Sequence, residues 1–255
     1  MKSNNISFPF YSNFNEDPDI EWQMSRSEKY CLIELLKTIE PDVSIEIGTY
    51  KGGSLQVLSQ FSKQVYSLDI SPEPKKNLKS KFNNVEFKIG ESHKIINELI
   101  HEIHDEKRKL NFILIDGDHS KNGVVKDLEA ILSYKFKNPL TIILHDSFNP
   151  QCREGIKSID YSKYEFIEHI EIDYISGCFS PNKDFREMWG GFCLIKINPS
   201  YKVVNTKVNE SQKPLFNRAY KGSKHIIKDK FLFLRPLKKI IYTKLGLNRK
   251  SDIYS

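Results

Sequence analysis

Residues 46–54 read Glu46-Ile47-Gly48-Thr49-Tyr50-Lys51-Gly52-Gly53-Ser54 and close the β-branched run Val43–Ile47. A strand that ends on a glycine turn and feeds a helix opens a βαβ unit. In a doubly wound sheet that first turn brings backbone close to a ligand at the carboxyl ends of the strands. Gly48 lets a ligand approach the backbone, and Gly52 and Gly53 accommodate a tight entry into the next helix. The spacing is neither G-x-G-x-x-G nor G-x-x-x-x-G-K-S/T, which disfavours both the dinucleotide fingerprint and the phosphate loop, and with them a nicotinamide-dependent oxidoreductase.

Upstream of this turn, Ser25 and Glu28 form a capping box before Leu32, Leu35, Leu36 and Ile39 at helical spacing, and Pro41 ends the helix. Downstream, apolar runs at Val65–Ile70, Val85–Ile89, Phe112–Ile115 and Leu140–Leu144 are separated by helical segments or loops. One helical stripe is Ile95, Ile96, Leu99, Ile100 and Ile103, and another is Val124, Val125, Leu128, Ile131 and Leu132. The strands show little alternation, as a parallel sheet covered on both faces requires. Past Pro150, extended stretches near Tyr164–Ile170 and Gly191–Ile197 come without a long helical pattern immediately between them and predict an antiparallel pair closing the sheet. The fold class is α/β.

The 255 residues suit one large domain with an appendage, and 39% hydrophobic with 28% charged residues excludes collagen-like, disordered and disulfide-scaffold classes. A net charge of +6 would point toward nucleic acid, but it is unevenly placed. Residues 200–255 hold 14 basic and three acidic side chains, whereas residues 1–199 hold 25 and 30. The main domain, 1–199, is therefore mildly acidic, and no nucleic-acid partner is expected for it. In the basic C-terminal extension, 200–255, Pro236 starts a helix with Leu237, Ile240, Ile241 and Leu245 on one stripe and Lys238 and Lys239 off it, although Lys244 intrudes. Peripheral contact with the anionic inner face of a membrane, a cover helix, a partner interface and a solvated tail all remain open for it. Cys31, Cys152, Cys178 and Cys193 show no metal-finger or C-x-x-C spacing, and the N-terminus lacks a signal-length apolar core, so a cytoplasmic protein is expected.

Three sets of residues carry candidate chemistry. Asp69 lies 21 residues beyond Gly48 at the end of the second strand, placed to accept hydrogen bonds from ribose hydroxyls or to cap the turn before Pro72. Asp116-Gly117-Asp118-His119 ends the fourth strand and His145-Asp146 the fifth, bringing carboxylates and imidazoles to one rim. Arg153, in the loop beyond, pairs with an acidic substrate group or forms a structural salt bridge.

The motifs E-I-G-T-Y-K-G-G-S, V-Y-S-L-D-I, I-D-G-D-H-S, L-H-D-S and M-W-G-G-F, in that order over residues 25–198, resemble the class I S-adenosylmethionine-dependent methyltransferases. More narrowly, they resemble the small-molecule and sugar O-methyltransferase branch with an I-D-G-D-H motif. The resemblance implies a Rossmann-like, doubly wound, seven-stranded and mostly parallel sheet with its last strand antiparallel. It also implies S-adenosyl-L-methionine as cofactor. Glu46 and Gly48 would line its methionine side with Thr49, Gly52 and Ser54 of the same turn, Asp69 its ribose, and Gly90-Glu91-Ser92 its adenine. Glu91 and Ser92 equally suit a helix N-cap. Trp189 reads as core before substrate wall.

Transfer from a sulfonium to a hydroxyl needs alignment and removal of the hydroxyl proton. His119 is the expected general base. Asp116, beside the cofactor, and Asp146 are the expected ligands of Mg²⁺, with Asp118, Asn149 or water completing its shell. Asp116 in a helix-capping role and His145 as a satisfied buried histidine are the plainer alternatives. The expected function is methylation of a hydroxyl on a sugar, glycan or other small molecule. The rival is a non-catalytic cofactor-binding or scaffold protein held at a membrane-associated assembly by its basic tail.

Overall fold

The computed structural model describes residues 14–180, 186–202 and 206–226. Helix α1 (Arg26–Ile39) starts on the Ser25–Glu28 capping box that the sequence announces, and Glu40 ends it in the left-handed conformation. Strand β1 (Val43–Ile47) then leads through the glycine turn into α2 (Gly53–Phe61), followed by β2 (Gln64–Asp69), α3 (Glu73–Leu78), β3 (Val85–Ile89) and α4 (Ser92–Asp105). The second half continues with β4 (Leu110–Ile115), α5 (Lys121–Leu132), β5 (Leu140–His145), α6 (Pro150–Ser158) and β6 (Ile167–Ile175). A small antiparallel pair, β7 (Cys178–Phe179) and β8 (Met188–Trp189), precedes β9 (Phe192–Ile197). Helix α7 (Lys213–Lys221) follows.

The main sheet has seven strands in the order β3-β2-β1-β4-β5-β9-β6. β1 to β5 are parallel, and β9 runs antiparallel between β5 and β6. The last strand of the sheet is thus antiparallel, as expected. Side chains alternate across it: Val43, Ile45 and Ile47 pack with the α4 and α5 stripes, while Phe112, Leu114 and Ile143 pack with Leu32, Leu36, Leu55 and Leu58 of α1 and α2. The strand order reverses at β1, with β2 and β3 on one side and β4 and β5 on the other, so the turns after β1 and β4 open a crevice at the carboxyl end of the sheet.

Several boundaries differ from the sequence expectation. β2 stops at Asp69, because that carboxylate takes the Ser71 N–H at 2.8 Å and turns the chain, leaving Ile70 58% exposed. The expected strand at Tyr164–Ile170 lies instead at Ile167–Ile175, after a short 3₁₀ turn. Nine residues after Asn149 form α6, where no helix was expected; Asn149 caps it by accepting the Gln151 N–H at 2.9 Å.

The compositional boundary at 199 is not a gap in packing. Asn209 bridges to Glu171, and the Asn209 and Ile172 N–H groups exchange hydrogen bonds with β6 carbonyl and Asn209 carbonyl oxygens at 2.9 and 3.0 Å. The amphipathic pattern at Pro236–Leu245 lies outside the described residues. Among the described residues, no helix is long and apolar enough to cross a membrane.

Candidate active site

The turn after β1 is held by Asp69. Its Oδ2 accepts the N–H groups of Thr49 at 2.9 Å and Tyr50 at 3.2 Å. The capping role before Pro72 is therefore present, and the same carboxylate fixes the glycine turn. Gly48 has φ +84°, and a Cβ there would lie 2.1 Å from the Asp116 carbonyl oxygen. What approaches the Gly48 backbone on that side is the Asp116-Gly117 turn. The Asp116 N–H donates to the Ile47 carbonyl at 2.7 Å and closes the two turns together.

Glu46 is fully buried on the α2 face of β1, where Ser54 Oγ donates to Oε1 at 2.6 Å. Burial pushes its carboxyl up to about 8, against the opposing pull of the Ser54 and Thr49 side chains. Oε2 is buried with no hydrogen-bond partner among the described residues. An orphaned carboxylate oxygen beside a glycine turn lacks a cationic or N–H donor, and the α-amino group of S-adenosylmethionine supplies one. The residues present therefore fit that cofactor.

Thr49 is buried and shares a short hydrogen bond with Ser67 on β2, and Gly52 is the left-handed N-cap of α2. Gly90 follows β3. Glu91 occupies the N-cap position of α4 without capping it and pairs with Lys94 at 2.6 Å and His93 at 3.3 Å. Ser92 donates to the buried Asp127, whose carboxyl burial pushes up to about 6.

At the ends of β4 and β5, Asp116, His119 and Asp146 converge, each offering a ligand atom within 4.8 Å of the others. His119 Nε2 lies 3.4 Å from both Asp116 Oδ1 and Asp146 Oδ2. Two hard carboxylate oxygens and one half-exposed imidazole suit a divalent cation. Asp118 and Asn149 do not join them: Asp118 accepts from Ser120 N at 2.8 Å and Ser120 Oγ at 3.0 Å, and Asn149 caps α6. The third side chain that offers a ligand atom to this cluster, among the described residues, is His119.

Asp146 is held with φ +60°, in the left-handed region that non-glycine residues rarely occupy, and its Oδ1 accepts the Gly190 N–H at 2.5 Å. The Trp-Gly-Gly turn therefore braces the cluster. Trp189 stands edge-on to His145, centroids 6.0 Å apart, and is half-buried.

Burial opposes charge on Asp116, His119 and His145, and the ion pairs prevail. His145 and His119 hold Asp116 well below the usual carboxylate range. Asp116 and Asp146 raise both imidazoles, His145 strongly. Without a bound cation, His119 is therefore biased toward its protonated form. His145, expected at this rim or as a satisfied buried histidine, lies with Nδ1 2.8 Å from Asp116 Oδ1, and one further participant escaped sequence reading: Glu28, whose Oε1 faces His145 Nε2 at 3.3 Å. Glu28 announces only a capping box in sequence. Arg153 is settled as structural: it is buried, bidentate to Asp173 at 2.6 and 3.1 Å, and lies over the Phe216 ring.

A seven-stranded sheet of this order, with acidic and glycine turns converging at the β1–β4 crevice, defines a class I methyltransferase fold. Residues 45–147, from β1 to just past Asp146, match the family described as a methyltransferase domain. An O-methyltransferase from Bacillus cereus in complex with SAH superposes with TM-score 0.51 at 18% identity, covering 71% of this chain and 84% of that one. A cofactor-bound protein from MTB does so with TM-score 0.51 at 17% identity over the same shares. An uncharacterized protein of Acanthamoeba polyphaga mimivirus is 29% identical over 180 residues, 60% of this chain and 76% of the relative.

Proposed function

We propose that the protein transfers a methyl group to a hydroxyl of a small molecule, with a sugar as the favoured acceptor class and Asp116, His119 and Asp146 holding a divalent cation. The observation that carries this reading is the convergence of those three side chains next to the turn that bears Glu46. S-adenosylmethionine supplies the electrophilic methyl, and a divalent cation lowers the pKa of a hydroxyl and orients it.

The residues of the chain divide the remaining work. Glu46 pairs with the amino group of the cofactor, and Asp69 keeps the glycine turn shaped around it. Gly90, Glu91 and Ser92 lie at the neighbouring strand end, where adenine is expected. Asp146 and Asp116 hold fixed oxygens at the rim, and Trp189 walls the acceptor side. His119 has two roles that exclude each other, since one Nε2 lone pair either binds a cation or accepts the hydroxyl proton. His119→Ala separates them: loss of cation affinity assigns a ligand, and loss of turnover with cation affinity intact assigns the base.

Incubating the protein with methyl-labelled S-adenosylmethionine and fractionated cell extract, with and without a chelator, tests the whole reading. Chelator-sensitive label in a small hydroxylated molecule is the expected result. Label confined to protein or nucleic acid, or no label, would overturn it.

A further inference from the structure

We infer that Glu28 and His145 form a clamp that positions Asp116, so that the first turn of α1 sets the geometry of the reaction site. This inference rests on the reading of the Asp116 cluster given above. Glu28 is only 1% exposed, far more buried than a helix-capping glutamate needs to be. Its Oε2 takes the Ser25 N–H at 2.5 Å as the capping box requires, while Oε1 takes the N–H of Gly191 and lies 3.3 Å from His145 Nε2. That last approach is an ionic contact, not an aligned hydrogen bond. The Trp-Gly-Gly turn wraps so closely that a Cβ on Gly190 would sit 2.6 Å from Glu28 Oε1.

His145 receives this carboxylate on one ring nitrogen and holds Asp116 Oδ1 at 2.8 Å with the other. Trp189 and Phe192 stand edge-on to the ring, centroids 6.0 and 5.7 Å away, and leave it little room to rotate. Asp116 Oδ2 makes no hydrogen bond among the described residues. One oxygen of Asp116 is thus pinned from behind while the carboxylate presents itself to His119 and the rim. Outer partners of this kind fix the orientation of ligating carboxylates, and their loss typically weakens metal affinity about 10- to 100-fold.

The test uses the full chain and Mn²⁺ alone as probe, so that no acceptor is needed. Glu28→Gln should weaken Mn²⁺ binding about tenfold, and His145→Asn, which keeps a donor near the Nδ1 position and removes Nε2, should do the same. The double variant should bind no more weakly than the weaker single one, because both break one clamp. Ser25→Ala removes only the hydroxyl half of the capping box, leaves the backbone N–H of that position on Glu28 Oε2, and should lower the melting temperature without moving Mn²⁺ affinity. Wild-type affinity in Glu28→Gln, or losses that multiply in the double variant, would overturn the clamp. Should the wild-type protein bind no Mn²⁺, the cation in the functional reading fails and the clamp is judged by imidazole NMR. A hydrogen-bonded Nδ1–H signal of His145, absent in His145→Asn, should then shift in Glu28→Gln, and an unshifted signal there would reject the clamp.

Discussion

Asp116 shares its Oδ1 between two imidazoles, and its charge is what the cluster is built around. Asp116→Asn keeps an oxygen for His145 but removes that charge. Turnover should fall at least about 100-fold, while S-adenosylmethionine affinity measured by calorimetry stays within a few-fold. Glu46 yields a prediction with a definite sign. Its folded carboxyl titrates near 8 against an ordinary 4.5, so the free protein holds the proton at neutral pH. The fold accordingly loses stability as pH rises from 4.5 toward 8. Pairing with the cofactor amino group favours the ionised form, so binding at pH 7 should release close to one proton. Calorimetry in buffers of different ionisation enthalpy reads this directly, and the release should vanish in Glu46→Gln. Carboxylates such as Asp116 and Asp146 were legible in sequence because apolar runs show where strands end. His145 was legible at the same rim for that reason, but the part of Glu28 was not, since only the folded sheet brings residue 28 against residue 145.

The strands and the α4 and α5 stripes could be read because burial on both faces of a parallel sheet leaves long apolar runs. Helix α6 escaped because its buried face is small, built on Cys152, Gly155 and Ile156 with the ion-paired Arg153, so no apolar period marks it. β7 and β8, two residues each, are too short for alternation to show. The glycine turn was legible as a turn, but the packing that requires its first glycine was not. Gly48 is required by the neighbouring β4 turn, because any side chain would meet the Asp116 carbonyl and also strain a backbone at φ +84°. Gly48→Ala should cost at least about 2 kcal/mol in denaturant unfolding and lower Mn²⁺ affinity, since it pushes Asp116 away. Gly222→Ala is the control: its nearest neighbour would lie 3.6 Å from the new Cβ, in ordinary contact, so its change should stay within about 0.5 kcal/mol.

Across the whole molecule the net +6 divides into a mildly acidic sheet domain and a basic extension, and the structure shows how the two are joined. Glu210 is the acidic anchor of that join, paired with Lys157 at 2.6 Å, Lys213 at 2.9 Å and Arg153 at 3.4 Å. Phe216 adds an apolar contact, edge-on to Phe148 with centroids 5.6 Å apart, two residues beyond Asp146. A chain ending at 199 therefore loses part of the packing around β6 and α6, and should melt at lower temperature than one ending at 226. Burial opposes ionisation of Glu210, yet its lysine and arginine partners bring the carboxyl down to about 2 from an ordinary 4.5. A depressed carboxyl stabilises the fold above its unfolded pKa, and that contribution is lost as pH falls from 4.5 toward 2. Thermal unfolding of wild type and Glu210→Gln should differ most at pH 6 and converge as pH falls toward 2. The chain ending at 199, which lacks Glu210, should show no such additional acid sensitivity. A gap between wild type and Glu210→Gln that stays constant from pH 6 to pH 2.5 would mean that the extension is held by its apolar and backbone contacts alone.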